Sequence, residues 1–194
     1  MGAFKEPHGG ELKVLYLGEN TAEARKLEAV DFPSWDLTER QLCDIELVLN
    51  GAFSPLEGFL GKADYEGVLR DMRLTSGVLW PIPITLDVTK AFADTLEAGA
   101  TIALRDPEGV LVATMKVDDV WEPDKQAEAE AVFATADSAH PGVHQLFHTH
   151  EVYLGGKLEG VEPPTHYDFK LLRDSPTEIR GRFRKLGWRK VVAF

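Results

Sequence analysis

Five residues, Arg105-Asp106-Pro107-Glu108-Gly109, separate two apolar, β-branched runs, Thr101 to Leu104 and Val110 to Val120. Proline and glycine placed between two such runs specify a reversal of direction, so the pattern predicts a hairpin. The neighbouring stretches carry the same kind of signal. Leu79 to Val88 reads as extended, but Pro81 and Pro83 cannot donate to a ladder, so at least its first half belongs at an edge or bulge. Val152 to Val161 is a further extended segment, bent at Gly155-Gly156. Short strands separated by turns predict a small closed or partly closed barrel, and the fold class is α+β, mainly β.

Helices are fewer and peripheral. Thr38 is placed to cap one, Gln41 occupies the capping-box position, and Asn50-Gly51 supplies a left-handed stop. The face of that helix toward the core is Leu42, Ile45 and Leu49. Ser54-Pro55 through Gly61 reads as a compact loop anchored by Phe53, Leu56, Phe59 and Leu60. A second helix, Ala63 to Met72, is expected to bury Tyr65, Val68, Leu69 and Met72. Lys125 to Phe133, rich in Ala and Glu, reads as a surface helix.

Two prolines at Pro163-Pro164-Thr165-His166 force an extended connection and predict a boundary, with one domain over residues 1–166 and the start of another over 167–194. Beyond it, Ser175-Pro176-Thr177-Glu178 is a capping box with proline at the first helical position. That helix carries Ile179, Phe183 and Leu186 and ends at Gly187. The apolar run Lys190 to Phe194 reads as a buried strand, the kind that leads into a functional turn. Helix then strand is the expected entrance to an α/β domain, so the chain reads as the front part of an enzyme.

The 194 residues suffice to bury a core without disulfide staples, and the lone Cys43 suits a reducing, cytoplasmic setting. The sequence contains no run of about 18 apolar residues and no signal-peptide pattern, and Glu6 stands where a myristoylation motif needs Ser or Thr. The net charge is -11, unevenly spread. From Glu162 to Phe194 there are 8 Lys and Arg against 4 Asp and Glu, leaving 13 against 28 in the first 161 residues. Such a body repels phosphate backbones, which argues against nucleic acid as a partner.

Three stretches carry a family resemblance. Pro7-His8-Gly9-Gly10-Glu11-Leu12 is followed by Leu37 to Leu60, which includes Gly51-Ala52-Phe53-Ser54-Pro55-Leu56-Glu57-Gly58-Phe59-Leu60. Met72-Arg73-Leu74 and Leu79-Trp80-Pro81-Ile82-Pro83-Ile84-Thr85-Leu86-Asp87-Val88 come next. In order and spacing these resemble the amino-terminal region of ATP sulfurylase (sulfate adenylyltransferase), and the resemblance continues through His140-Pro141, Tyr153-Leu154-Gly155-Gly156 and Trp188 to Val191-Val192-Ala193-Phe194. It implies a PUA-like pseudo-barrel and a parent enzyme that joins ATP and sulfate into adenosine 5′-phosphosulfate, releasing pyrophosphate, with Mg-ATP as the bound nucleotide. The family's Gln-Thr-Arg-Asn-Pro, His-x-x-His and Gly-Arg-Asp segments do not occur here, and the first would follow Phe194 directly. No catalytic, substrate-binding or metal residue is therefore assigned. The implied partners are the chain's own catalytic domain, further copies in a homo-oligomer and, in some relatives, a fused adenosine phosphosulfate kinase domain. No cofactor, nucleic acid or membrane is expected for this chain itself. The alternative is a stand-alone PUA-like module that binds RNA or a protein.

Several constellations imitate active sites. His140, His144, His148 and His150 cluster, and His144 with His148 has the spacing that puts two imidazoles on one helical face. Pro141-Gly142 interrupts that face, so the segment reads as a solvated histidine-rich loop. Pro7-His8-Gly9-Gly10 has the glycines of an anion nest but no strand–loop–helix frame, and reads as a tail packed on the barrel. Asp118-Asp119 are adjacent and expected on opposite faces of a strand, and Glu128/Glu130 are paired only in composition. Arg180 and Arg184 share a helical face, which reads as solvated or as an interdomain surface, with attraction of ATP or sulfate as the sharper possibility.

Overall fold

Asp106 organises the predicted turn. Its side-chain Oδ1 accepts from the backbone N–H of Glu108 and Val110, at 2.9 and 2.8 Å, and Gly109 takes the left-handed φ of 86°. In the computed structural model, which describes residues 5–192, the flanking runs are strands β4 (Thr101–Arg105) and β5 (Leu111–Trp121), paired antiparallel as expected. The remaining strands in chain order are β1 (Ser34–Asp36), β2 (Gly58–Phe59), β3 (Leu86–Val88) and β6 (Val152–Gly160).

The sheet order is β1-β4-β5-β6-β2, with β1 parallel to β4 and the other pairs antiparallel; β3 also pairs with β6. Strand β6 is thus central. It lies against β5 along one edge and against both β2 and β3 along the other. The expected bend at Gly155-Gly156 has a steric cause: a Cβ on Gly156 would run into the carbonyl of Lys116, and one on Gly58 into the carbonyl of Gly156. Three backbones meet there too closely for side chains.

Seven α-helices surround the sheet among the described residues. Helix α2 (Glu39–Leu49) has the full Thr38–Gln41 capping box, and its Ile45, Val48 and Leu49 are completely enclosed while Leu42 is only half-buried. Helix α3 (Lys62–Asp71) buries Tyr65 and Val68. Met72, expected in the core, is 55% exposed, because it is the left-handed C-cap (φ 52°) and turns out of the helical stripe. Of the segment from Leu79, only Leu86–Val88 is a strand, as the two prolines require.

Helix α1 (Glu19–Glu28) was not anticipated. Its buried residue Ala22 and the C-cap Ala29 pack with Ala103, Leu111 and Val161, and partly exposed ion pairs add to this, Arg25 to Glu159 at 2.7 Å and Lys26 to Glu162 at 3.1 Å. The remaining helices are α4 (Lys90–Ala93), α5 (Lys125–Phe133), α6 (Pro141–Phe147) and α7 (Pro176–Lys185). Helix α7 has the predicted Ser175–Glu178 capping box. The expected terminal strand is not formed over residues 190–192, where no neighbouring strand offers its backbone a partner; residues 193–194 of that expectation lie outside the described residues.

One hydrophobic cluster unites α2, α3 and strands β2 to β6, and Ile45 belongs to it as one of its fully enclosed side chains, with Leu86, Leu104, Met115 and Leu154. Truncating Ile45 removes three carbons from a fully closed site. Ile45→Ala is expected to cost about 2–5 kcal/mol of unfolding free energy, measured by urea denaturation followed by circular dichroism.

Candidate functional site

The first turn of α2 delivers two polar side chains to the sheet. Gln41 is completely buried: its Oε1 accepts from Thr38 N (3.0 Å) and Trp35 Nε1 (3.3 Å), while its Nε2 donates to the Asp87 carbonyl (2.7 Å) and to Asp87 Oδ1 (2.9 Å). Arg40 forks between Asp44 Oδ2, at 2.7 Å, and Asp87 Oδ1. The other oxygen of Asp87, Oδ2, accepts from the backbone N–H of His150 at 3.0 Å. Asp87 lies in β3 and is only 3% exposed, yet both carboxylate oxygens are satisfied. Burial pushes the Asp44 carboxyl above its ordinary value against the opposing pull of Arg40.

A second buried carboxylate stands beside this knot. Glu128 of α5, in the helix expected to lie on the surface, is in fact 7% exposed; its Oε2 accepts from Tyr65 Oη at 2.9 Å and Tyr153 Oη at 3.1 Å. The helix turns Glu128 and Ala129 inward while Gln126 and Glu130 remain outside, so the Glu128/Glu130 pair is divided between core and solvent. Burial raises the Glu128 carboxyl and, reinforced by Glu128, pushes both phenols far above the tyrosine range. Tyr65 and Tyr153 are therefore neutral donors at any physiological pH. Trp121 packs on both rings, at 5.6 and 5.8 Å.

Above Glu128 a cavity of about 220 Å³ opens between α5 and α6, bounded by Ile82, Pro83, Phe133 and Leu146 and reached by Arg40. A wider hollow of about 650 Å³ adjoins it, lined by Thr38, Cys43, Asp87, His148 and His150. Arg40, Gln145 and Thr149 border both. Neutral phenols, carboxylates and a paired guanidinium can bind and orient a small polar group. They present no activated nucleophile.

The expected solvated histidine-rich loop is interrupted by a short helix that contains only His144; His140 and His148 flank it as caps, both exposed, and His150 lies beyond in irregular backbone. His140 is the N-cap of α6, which Pro141 opens as a first-turn proline, so the residue expected to break the helix starts it. The imidazoles of His144 and His148 do come together, with centroids 4.2 Å apart, but His148 Nδ1 is bonded to the His144 carbonyl at 2.6 Å. His140 rests on Phe133 and His150 meets Trp35 edge-on. No three His, Cys, Asp or Glu among the described residues are grouped to hold a metal.

Pro7 to Gly10 pack as a turn against the body, with His8 Nε2 2.7 Å from the Leu79 carbonyl and Gly9 against Pro55. The β5 register shifts between Val117 and Asp119, so the simple alternation expected for Asp118 and Asp119 fails: both border one outer groove, where Asp119 accepts from Lys62 N at 3.0 Å and caps α3. Arg180 and Arg184 line a cleft that also holds Glu6 and Glu11, and Arg180 donates to the Lys5 carbonyl at 2.6 Å. The Arg40–Asp87 and Glu128 clusters were missed in the sequence. One signal was available, a single carboxylate within the apolar run Leu86-Asp87-Val88.

Residues 5–163 match the family described as PUA-like domain. The sulfate adenylyltransferase of Eremothecium gossypii is 50% identical over 190 residues, covering 97% of this chain and 38% of that protein. The Neurospora crassa sulfate adenylyltransferase is 51% identical over 193 residues, 97% of this chain and 34% of its own. Among solved structures, the hexameric APS kinase from Thiobacillus denitrificans superposes with a TM-score of 0.76 at 34% identity, over 95% of this chain and 32% of that one. The chain thus spans roughly a third of the length of these relatives.

Because burial raises the Glu128 carboxyl from its ordinary 4.5, the folded state keeps this proton after the unfolded chain has lost it. Stability contributed by this group therefore falls as pH rises above about 4.5. Tyr65, Tyr153, Arg40 and Lys125 surround it and are retained in Glu128→Gln. In thermal unfolding from acid to neutral pH, the wild-type melting temperature should decline relative to that of Glu128→Gln; a constant difference would show that Glu128 titrates normally.

Proposed function

The chain belongs to the PUA-like domain family, and on that premise we propose that it is the supporting amino-terminal region of a sulfate adenylyltransferase. The observation that carries this reading is half-identity to sulfate adenylyltransferases along 97% of the chain. In the parent reaction, sulfate attacks the α-phosphorus of ATP, adenosine 5′-phosphosulfate forms and pyrophosphate leaves. That chemistry needs positioned charge rather than a covalent nucleophile. It is assigned to residues outside this sequence, with Mg-ATP bound there. The chain itself holds no cofactor and has no activity alone.

Residues 1–166 then form the PUA-like unit and 167–194 the first part of the catalytic domain. The exposed apolar side chains Tyr167, Phe169, Leu171, Leu172 and Trp188 support this division, since they are the surface a following domain would cover. Association of several copies and a fused adenosine phosphosulfate kinase domain are proposed by analogy with the hexameric APS kinase that shares this architecture. The cytoplasm is the proposed compartment, consistent with the single exposed Cys43. An RNA-binding module is the weaker reading, because 28 Asp and Glu face 13 Lys and Arg over the first 161 residues.

The test is ATP formation from adenosine 5′-phosphosulfate and pyrophosphate with magnesium. It compares this chain alone with the same chain fused to the remaining part of the Eremothecium gossypii relative. The isolated chain should match a heat-treated control and the fusion should be active. Activity in the isolated chain would overturn its supporting role; a folded but inert fusion would overturn the assignment to this enzyme.

A further inference from the structure

The cavity between α5 and α6 has features that the supporting role does not use. Its roughly 220 Å³ is somewhat more than the ~150 Å³ apolar hole that accepts benzene. Ile82, Pro83, Val132, Phe133 and Leu146 supply apolar walls. Glu128 also lines it, more than nine-tenths buried, and although Oε2 takes both tyrosine hydroxyls, Oε1 has no hydrogen-bond partner among the described residues. That oxygen is open to the cavity rather than sealed, so a ligand that brings a donor can reach it, and a charge-assisted hydrogen bond formed at so enclosed a site is stronger than one in water.

We propose that this cavity binds a small amine with a single apolar ring, the ring lying among Pro83, Phe133 and Leu146 and the ammonium donating to Glu128 Oε1. The charge balance selects a cation. The charged side chains that line the cavity are Arg40 and Glu128; Arg40 is engaged by Asp44 and Asp87, and Lys125 Nζ, nearby, donates to the Thr149 carbonyl at 2.6 Å, which leaves Glu128 as the charge that meets a ligand. An anion would find both cations occupied and a buried carboxylate opposing it. An ammonium instead stabilises the ionised form that burial disfavours. The proposal goes beyond the enzymatic reading and stands without it.

Benzylamine and benzoate, matched in ring and opposite in charge, are the probes, followed by saturation-transfer NMR and titration calorimetry on the whole chain at neutral pH. Benzylamine is expected to bind and benzoate to fail. Glu128→Gln, whose amide oxygen can still accept from the two tyrosines, should weaken benzylamine about tenfold or more, and Leu146→Trp should exclude it by filling the cavity. No benzylamine binding, equal binding of benzoate, or unchanged affinity in a folded Glu128→Gln variant would overturn the proposal.

Discussion

Asp87 is 3% exposed, yet its carboxylate collects Arg40 and Gln41 from α2 and the backbone N–H of His150 from the junction between α6 and β6. Taking a carboxylate out of water costs several kcal/mol, and only complete pairing offsets that cost. Here pairing is complete only while α2, β3 and the start of β6 hold their positions together. The same helix turn is fixed locally by the Thr38–Gln41 box, and Gln41 belongs to both arrangements. A secondary-structure cap and a tertiary contact are thereby joined in one side chain.

Next to that knot the packing changes character. Tyr65, Trp121 and Tyr153 form an aromatic group with centroids 5.6 to 5.9 Å apart, and two of its hydroxyls converge on Glu128. The indole N–H of Trp121 is buried with no partner among the described residues, a cost set against the ring packing. Helix α5 is thus tied to α3 and β6 by hydrogen bonds to one carboxylate, and the cavity beside α6 is bounded by a buried charge. This polar layer lies over a central strand whose glycines permit three backbones to meet.

Features written in adjacent residues were legible. The β4–β5 turn, both capping boxes and the range of α5 follow from sequence neighbours, because the groups that determine them are within a few residues. The polar clusters were not, since Gln41 and Asp87 are 46 positions apart and Tyr65 and Glu128 are 63. Periodicity misled at Met72, whose left-handed backbone abandons the helical stripe, and at α5, whose alternating Ala and Glu concealed one inward carboxylate. Helix α1 escaped notice because its inward face is only Ala22, with Ala29 at the C-cap, too small a stripe to give a periodic apolar signal. The family was visible in motifs; the candidate cavity was not.

That Asp87 anchors the assembly is open to direct measurement: chemical denaturation of Asp87→Ala, with hydrogen exchange followed residue by residue. Removing the carboxylate leaves Arg40 with one of its two acidic partners and leaves His150 N–H with no acceptor. A loss of about 3–5 kcal/mol is predicted, with exchange accelerated first in α2 and at the start of β6. Stability within about 0.5 kcal/mol of wild type, with α2 and β6 equally protected, would contradict it.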